Sequence, residues 1–155
     1  MISQKAKYAL RALVELARVK DGEALLINDI AERQRIPKKF LEQILLDLKH
    51  QGLLQSRRGR GGGYSLLKDP REITIGQIMR IIDGPLAPLP CLSRMAYRPC
   101  EDCEDEAACG IRRVFAKAYD ATAQVLDNTT LYDTVMAEGG QSAGNQASAV
   151  VRALA

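Results

Sequence analysis

Several features that would place this chain of 155 residues in other classes are missing. No apolar run approaches the roughly 20 residues that a membrane-spanning helix needs, and no charged-then-apolar leader ends in a small-residue cleavage site. We therefore expect a cytoplasmic protein without a membrane partner. Hydrophobic residues make up 46% of the chain, which excludes general disorder. The length suits one domain with a real core and an appended arm.

Residues for catalysis and nucleotide binding are equally scarce. The only histidine is His50, which sits near a predicted helix end, where its natural partner is the helix dipole. No nucleophile–base pair or carboxylate pair has motif-like context. The glycine-rich residues 58–64 lack Gly-Lys-Ser/Thr and precede a predicted strand, which argues against a phosphate-binding loop. The sequence therefore does not predict an enzyme.

Charge is distributed unevenly along the chain. Residues 1–70 hold 14 Lys and Arg against 8 Asp and Glu, whereas residues 71–155 hold 8 against 11. A basic first half and an acidic second half indicate a polyanionic partner for the first half only.

The stretch from residue 37 to residue 69 carries the strongest pattern. Apolar residues at spacing i, i+3, i+4 and i+7 predict a helix over residues 37–51, with one buried stripe: Leu41, Ile44, Leu45 and Leu48. Pro37 suits the first helical position, and Gly52 suits the position just past the end. Residues 53–56 and 64–67 then predict two strands around a turn at 57–63, with three arginines at its tip. A helix followed by a basic hairpin predicts a winged helix-turn-helix, mainly α with a small β-hairpin wing. A winged helix that docks a protein instead of DNA is the alternative.

Flanking patterns complete the prediction. A first helix spans residues 3–20 with Ser3 as its cap and Asp21-Gly22 as its end, and Asn28 or Asp29 caps a brief helix through Arg33. Thr74 caps a further helix that stops at Gly84. We expect a DNA-binding winged domain over residues 1–84, a cysteine-rich loop over 85–110, a dimerisation helix region over 111–136, and a disordered tail over 137–155.

The helix predicted from residue 111 has an apolar face that the winged domain does not need. Five residues define this face: Ile111, Val114, Phe115, Ala118 and Val125. A second copy of the same helix is the simplest cover, because most soluble oligomers have two-fold symmetry. The sequence therefore predicts a homodimer.

Four strings together resemble the Rrf-two family of bacterial winged-helix transcription regulators, some of which carry iron–sulfur clusters or sense nitric oxide. They are KYALRAL at 7–13, IAERQ at 30–34, FLEQI at 40–44 and RGRGGGY at 58–64. The resemblance implies a dimeric repressor of a palindromic double-stranded operator that senses iron–sulfur status, redox or nitric oxide. The implied DNA contacts are Lys38, Lys39, Phe40, Glu42, Gln43, Arg58 and Arg60.

These side chains have suitable chemistry. Glu42 can accept a hydrogen bond from cytosine, Gln43 can read adenine, and Phe40 can touch a thymine methyl. The lysines suit phosphates, and an arginine of the wing suits a narrow minor groove. A structural ion pair of Glu42 with a neighbouring basic residue is the alternative for that position.

The four cysteines are Cys91, Cys100, Cys103 and Cys109. Their confinement to 19 residues favours metal or redox chemistry over a disulfide framework. The resemblance implies a 2Fe–2S or 4Fe–4S cluster, although the histidine ligand of one sub-type is absent here and Lys7 stands where the nitric-oxide sensor sub-type has an acid. Structural zinc and a metal-free thiol switch remain open alternatives. Five carboxylates between residues 101 and 106 would hold a cluster at low potential.

Overall fold

The computed structural model describes residues 2–19 and 23–139. Its elements, in chain order, are α1 (Gln4–Arg18), α2 (Ile27–Gln34), α3 (Lys38–His50), β1 (Leu54–Arg57), β2 (Gly63–Leu66), α4 (Ile75–Asp83), α5 (Gly110–Asn128) and α6 (Leu131–Gly139), with short 3-10 turns at Pro70–Glu72 and Pro90–Leu92. The predicted class, mainly helical with one two-stranded hairpin, is confirmed. In the described part of the chain, every helix is too short or too polar to cross a bilayer.

Helix α1 is the centre of the core and contacts α2, α3, α4 and α6. The Ser3 hydroxyl accepts a hydrogen bond from the Ala6 amide, which confirms the predicted cap. Ala6, Ala9 and Ala12 are fully buried, and such small side chains let neighbouring helices approach closely. The helix ends at Arg18, earlier than predicted. The predicted stop at Asp21-Gly22 lies outside the described residues.

Helix α2 begins before both of its predicted caps. It starts at Ile27, so Asn28 and Asp29 lie within its first turn and the capping prediction was wrong. The helix ends where Arg35 adopts the left-handed conformation at φ 51° and the Ile36 amide donates to the Ala31 carbonyl. This closed turn leads directly into α3 and forms the helix-turn-helix.

Helix α3 buries its whole predicted stripe. Leu41, Ile44, Leu45 and Leu48 are fully buried in the common core. Pro37 precedes the helix as its cap residue rather than occupying the first helical position, and its carbonyl accepts from the Phe40 amide. Because the stripe is held in the core, the opposite face of α3 is turned toward solvent.

The hairpin is antiparallel, with Leu54 opposite Leu66 and Arg57 opposite Gly63. Arg57 is therefore the last residue of β1, and the turn itself carries two arginines rather than three. A further extended residue, Leu25, pairs with Tyr64 through two backbone hydrogen bonds of 2.9 and 2.8 Å. This bridge attaches the hairpin to the segment before α2.

After α5 the chain returns to the winged domain. Thr130 forms an antiparallel bridge with Thr74, the confirmed cap of α4. The Thr130 hydroxyl accepts from the Asp133 amide, and the Asp133 carboxylate accepts from the Thr130 amide, a reciprocal cap for α6. Helix α6 then packs on α1 and continues to Gly139, into the region predicted as disordered. The remainder of that predicted tail, residues 140–155, lies outside the described residues.

A buried carboxylate links three helices. Glu15 of α1 is 7% exposed and accepts hydrogen bonds from Arg33 and Gln34 of α2. Arg18 bonds both Glu15 and Glu138 of α6. Burial raises the pKa of Glu15, but the hydrogen bonds and the nearby guanidinium groups outweigh it and hold this pKa below the usual value of a glutamate.

Candidate DNA-binding surface and cysteine segment

The outer face of α3 carries the five residues predicted to contact DNA. All five are exposed: Lys38, Lys39, Phe40, Glu42 and Gln43. Within the described residues, Glu42 forms no ion pair, so the structural alternative for Glu42 finds no support. This face combines lysines, whose chemistry suits phosphates, with side chains of the kind that can read base edges.

Two of these residues also have contacts inside the protein. The Phe40 ring packs edge-on against Tyr8 of α1, with 5.7 Å between ring centroids. Gln43 donates to Asp47 over 2.8 Å, and Asp47 also accepts from Lys5. The Lys5 hydrogen bond holds the pKa of Asp47 below its usual value. These contacts restrict the rotamers of Phe40 and Gln43 before any partner arrives.

The wing presents Arg58 and Arg60 in the turn between β1 and β2, and both are exposed. The turn contains Gly59 at φ 90° and Gly61 at φ 74°, backbone conformations that favour glycine. Lys49 of α3 donates to the Ser56 hydroxyl of β1 over 2.7 Å, which links the helix to the wing. The basic turn and the polar face of α3 therefore belong to one supported unit.

Gly63 allows the wing to lie against the body of the protein. It has φ 134°, and a Cβ at this position would lie 2.3 Å from the Leu25 carbonyl oxygen. Any side chain would therefore push apart the Leu25–Tyr64 bridge. Sequence reasoning placed Gly63 in the turn and missed this role, which depends on a residue 38 positions earlier in the chain.

The cysteine segment runs from the 3-10 turn Pro90–Leu92 to the start of α5. Cys91 is buried, and Cys100, Cys103 and Cys109 are half-buried free thiols. The Cys103 amide donates to the Cys100 carbonyl, and the Cys109 sulfur caps α5 by accepting from the Arg112 amide over 3.4 Å. Glu106 accepts from the Tyr97 hydroxyl and lies 3.5 Å from Arg112.

The thiols influence one another along the segment: Cys91 and Cys103 both act on Cys100, and Cys109 acts on Cys103. A hydrogen bond with Cys91, followed by burial, raises the pKa of Cys100. Burial, followed by the charge of Cys109, raises the pKa of Cys103. Both shifts favour the neutral thiol, which is neither a metal ligand nor a strong nucleophile until it loses its proton.

Four thiols are a donor set that suits an iron–sulfur cluster, and three of them are within reach of solvent. Among the described residues, however, no group of three or more Cys, His, Asp or Glu side chains is arranged to hold a metal ion. The donor chemistry therefore fits a cluster, whereas the described residues do not gather three of the thiols into one site. A cavity of about 350 Å³ between this segment and α5 is lined by Cys91, Arg94, Arg112 and Tyr119.

Helix α5 has two distinct faces. Tyr119 and Ala123 are buried against the body of the same chain. The predicted dimer face is exposed throughout: Ile111, Val114, Phe115, Ala118 and Val125. Ile111, Val114 and Val125 are each more than 60% exposed, so no part of the chain that the structure describes covers this face.

Comparison with known proteins agrees with this architecture. The family model described as "Rrf2: Iron-dependent Transcriptional regulator" matches residues 2–137. A putative HTH-type transcriptional regulator, rrf2-like, of Rhodobacter capsulatus is 56% identical over 140 residues, covering 88% of this chain and 93% of that protein.

Two solved structures have the same fold. CymR, described as the global cysteine regulator of B. subtilis, is 34% identical with a TM-score of 0.73, and the match covers 88% of this chain and 96% of CymR. IscR of T. potens is 27% identical with a TM-score of 0.71, covering 94% and 93%. The chain therefore belongs to the Rrf2 family, whose members are transcriptional regulators and not enzymes.

Proposed function

We propose that this protein is a homodimeric repressor that binds a palindromic DNA operator and adjusts its affinity to the state of the cysteine segment. The observation that carries the proposal is the face of α3, which is polar, exposed and free of the core stripe, together with the two exposed arginines of the wing. The α3 face would enter a major groove, and Arg58 and Arg60 would reach the adjacent backbone or minor groove.

A dimer would place two such surfaces side by side. The exposed apolar face of α5 is the proposed contact, because no described part of the same chain covers it. Two recognition helices should then meet successive major grooves about 34–36 Å apart, which requires a palindromic operator.

The DNA-binding test replaces both arginines of the wing. A duplex selected by the wild-type protein from a random pool serves as the probe. The variant Arg58→Ala/Arg60→Ala should bind all sequences more weakly and should lower the slope of log affinity against log salt by about 2. The matched control, Arg113→Ala/Lys117→Ala, removes two exposed basic side chains of α5 outside this surface and should leave the slope unchanged. Equal slopes in wild type and the wing variant would refute the assignment.

For the cysteine segment, the proposed cofactor is an iron–sulfur cluster held by Cys91, Cys100, Cys103 and Cys109. Such a cluster would supply a redox- and nitric-oxide-sensitive centre between α4 and α5. The description of the family as iron-dependent supports the proposal. Structural zinc and a metal-free dithiol are the competing occupants.

The occupant can be identified directly. Anaerobically prepared protein should absorb in the visible range and contain iron and acid-labile sulfide. Zinc without sulfide would identify a structural zinc site. Four titratable thiols without metal would identify a metal-free dithiol. Operator titrations of loaded and metal-free protein at one salt concentration then measure the coupling, expected at roughly 5- to 150-fold in affinity. Equal affinities would show that the occupant is structural only.

A further inference from the structure

Helix α5 is held to the winged domain by a close-fitting contact between Gly76 and Arg80 of α4 and Asp127 of α5, here called the α4–α5 joint. The guanidinium of Arg80 donates from Nη1 to Asp127 Oδ1 over 2.6 Å and from Nη2 to Oδ2 over 2.9 Å. A paired arrangement of this kind fixes the relative orientation of the two groups as well as their distance. This hydrogen bonding raises the pKa of Arg80 and lowers that of Asp127.

The glycine provides the space for the carboxylate. Gly76 is buried in α4, and a Cβ added there would lie 2.0 Å from Asp127 Oδ1 and 3.0 Å from Arg80 Nη1. The Asp127 carboxylate therefore occupies the volume that any other side chain at position 76 would need. Helix formation does not explain the glycine, because alanine is the better residue inside a helix.

Backbone hydrogen bonds secure the same end of α5. The Ile75 amide donates to the Thr129 carbonyl over 2.9 Å, and the Leu131 amide donates to the Ile73 carbonyl over 2.8 Å. The exposed apolar face lies mostly on the other half of the helix, at Ile111, Val114 and Phe115. The joint and these two hydrogen bonds therefore hold the C-terminal end of α5 in a set direction relative to the DNA-binding surface.

We propose that the α4–α5 joint sets the spacing of the operator half-sites, so that Gly76, Arg80 and Asp127 are positioning residues for DNA recognition. The inference rests on the proposed function, that is, on a dimer through α5 that binds a palindrome. A helix of 19 residues is about 28 Å long at 1.5 Å per residue. A tilt of about 8° at one end moves the other by about 4 Å, close to the 3.4 Å rise of one base pair.

The test compares half-site spacing in two variants. Gly76→Ala displaces the carboxylate without removing a charge, and Arg80→Gln removes the guanidinium without adding atoms to a packed site. Arg113→Gln, at an exposed position of α5 outside the joint, is the matched control for loss of one charge. The probes are the duplex selected by wild type, the same duplex with one base pair added or removed between half-sites, and a single half-site. Sedimentation and melting curves verify the dimer and the fold.

We expect wild type to lose about tenfold or more in affinity when the spacing changes by one base pair, within the usual range for a defect in a specific site. In both joint variants, the loss of affinity on changing the spacing by one base pair should be at least fivefold smaller than in wild type. Their affinity for the single half-site should stay within twofold of wild type. Arg113→Gln should keep the full penalty. If Gly76→Ala does not fold, Arg80→Gln decides the matter.

Three results would overturn the inference. The first is an unchanged spacing penalty in the folded variants, and the second is a wild-type protein without any spacing preference. Both refute the role of the joint and leave DNA binding itself intact. The third, failure of wild type to select any duplex, refutes the proposed function and the inference together.

Discussion

Replacing Gly63 with alanine tests whether the Leu25–Tyr64 bridge holds the wing in place. The new Cβ would lie 2.3 Å from the Leu25 carbonyl oxygen and 2.6 Å from its carbon, both backbone atoms that cannot rotate away. The residue would also keep φ 134°, a conformation that is largely restricted to glycine. The wing must therefore separate from the segment before α2.

The magnitude follows from these contacts. Losing the two Leu25–Tyr64 hydrogen bonds costs about 1 kcal/mol each, and the strained backbone adds about 1–3 kcal/mol. The free energy of unfolding should therefore fall by about 3–5 kcal/mol. Gly61→Ala is the control, because Gly61 has φ 74° and a Cβ there meets nothing within 4 Å. That variant should lose only about 1–2 kcal/mol, the cost of a left-handed alanine.

Urea unfolding at one fixed protein concentration measures both variants, since the proposed dimerisation would make apparent stability concentration-dependent. In DNA titrations at a urea-free condition where both are folded, Gly63→Ala should bind more weakly than Gly61→Ala because its arginines are no longer held beside α3. Equal losses of stability in the two variants would show that the bridge contributes nothing measurable and would refute the reasoning.

Three further changes test other parts of the molecule. Val114→Asp/Phe115→Asp places two charges in the proposed dimer interface and should give a monomer in sedimentation. The control Lys117→Asp, on the same helix, should remain a dimer. A dimeric double variant would contradict the proposed interface. Glu15→Gln removes a carboxyl whose pKa is lowered in the folded state, so its stabilisation is present above about pH 4.3 and is lost as the pH falls through the folded pKa. The difference in unfolding free energy from wild type should therefore shrink between pH 6 and pH 3, and a constant difference would exclude the linkage. Leu45→Ala in the fully buried stripe should cost about 2–5 kcal/mol by urea unfolding, and a loss below 1 kcal/mol would contradict its place in the core.

Local signals were sufficient for much of the fold. The stripe from Leu41 to Leu48, the caps at Ser3 and Thr74 and the glycine-rich hairpin all depend on residues within a few positions of each other. The same locality explains the errors. Asn28 and Asp29 look like caps, but the chain enters α2 already at Ile27. Pro37 likewise stands just before α3 rather than inside it.

The sequence by itself determined the helix-turn-helix, the wing, the exposed polar face of α3 and the apolar face of α5, because periodicity and turn chemistry are encoded in neighbouring residues. Only the tertiary structure decided that Leu25 pairs with Tyr64, that Cys91 shares a hydrogen bond with Cys100, and that Arg80 meets Asp127 above Gly76. Arg80 and Asp127 are 47 positions apart. Contacts at such separations depend on how whole helices pack, and no pattern within a single helix or strand specifies them.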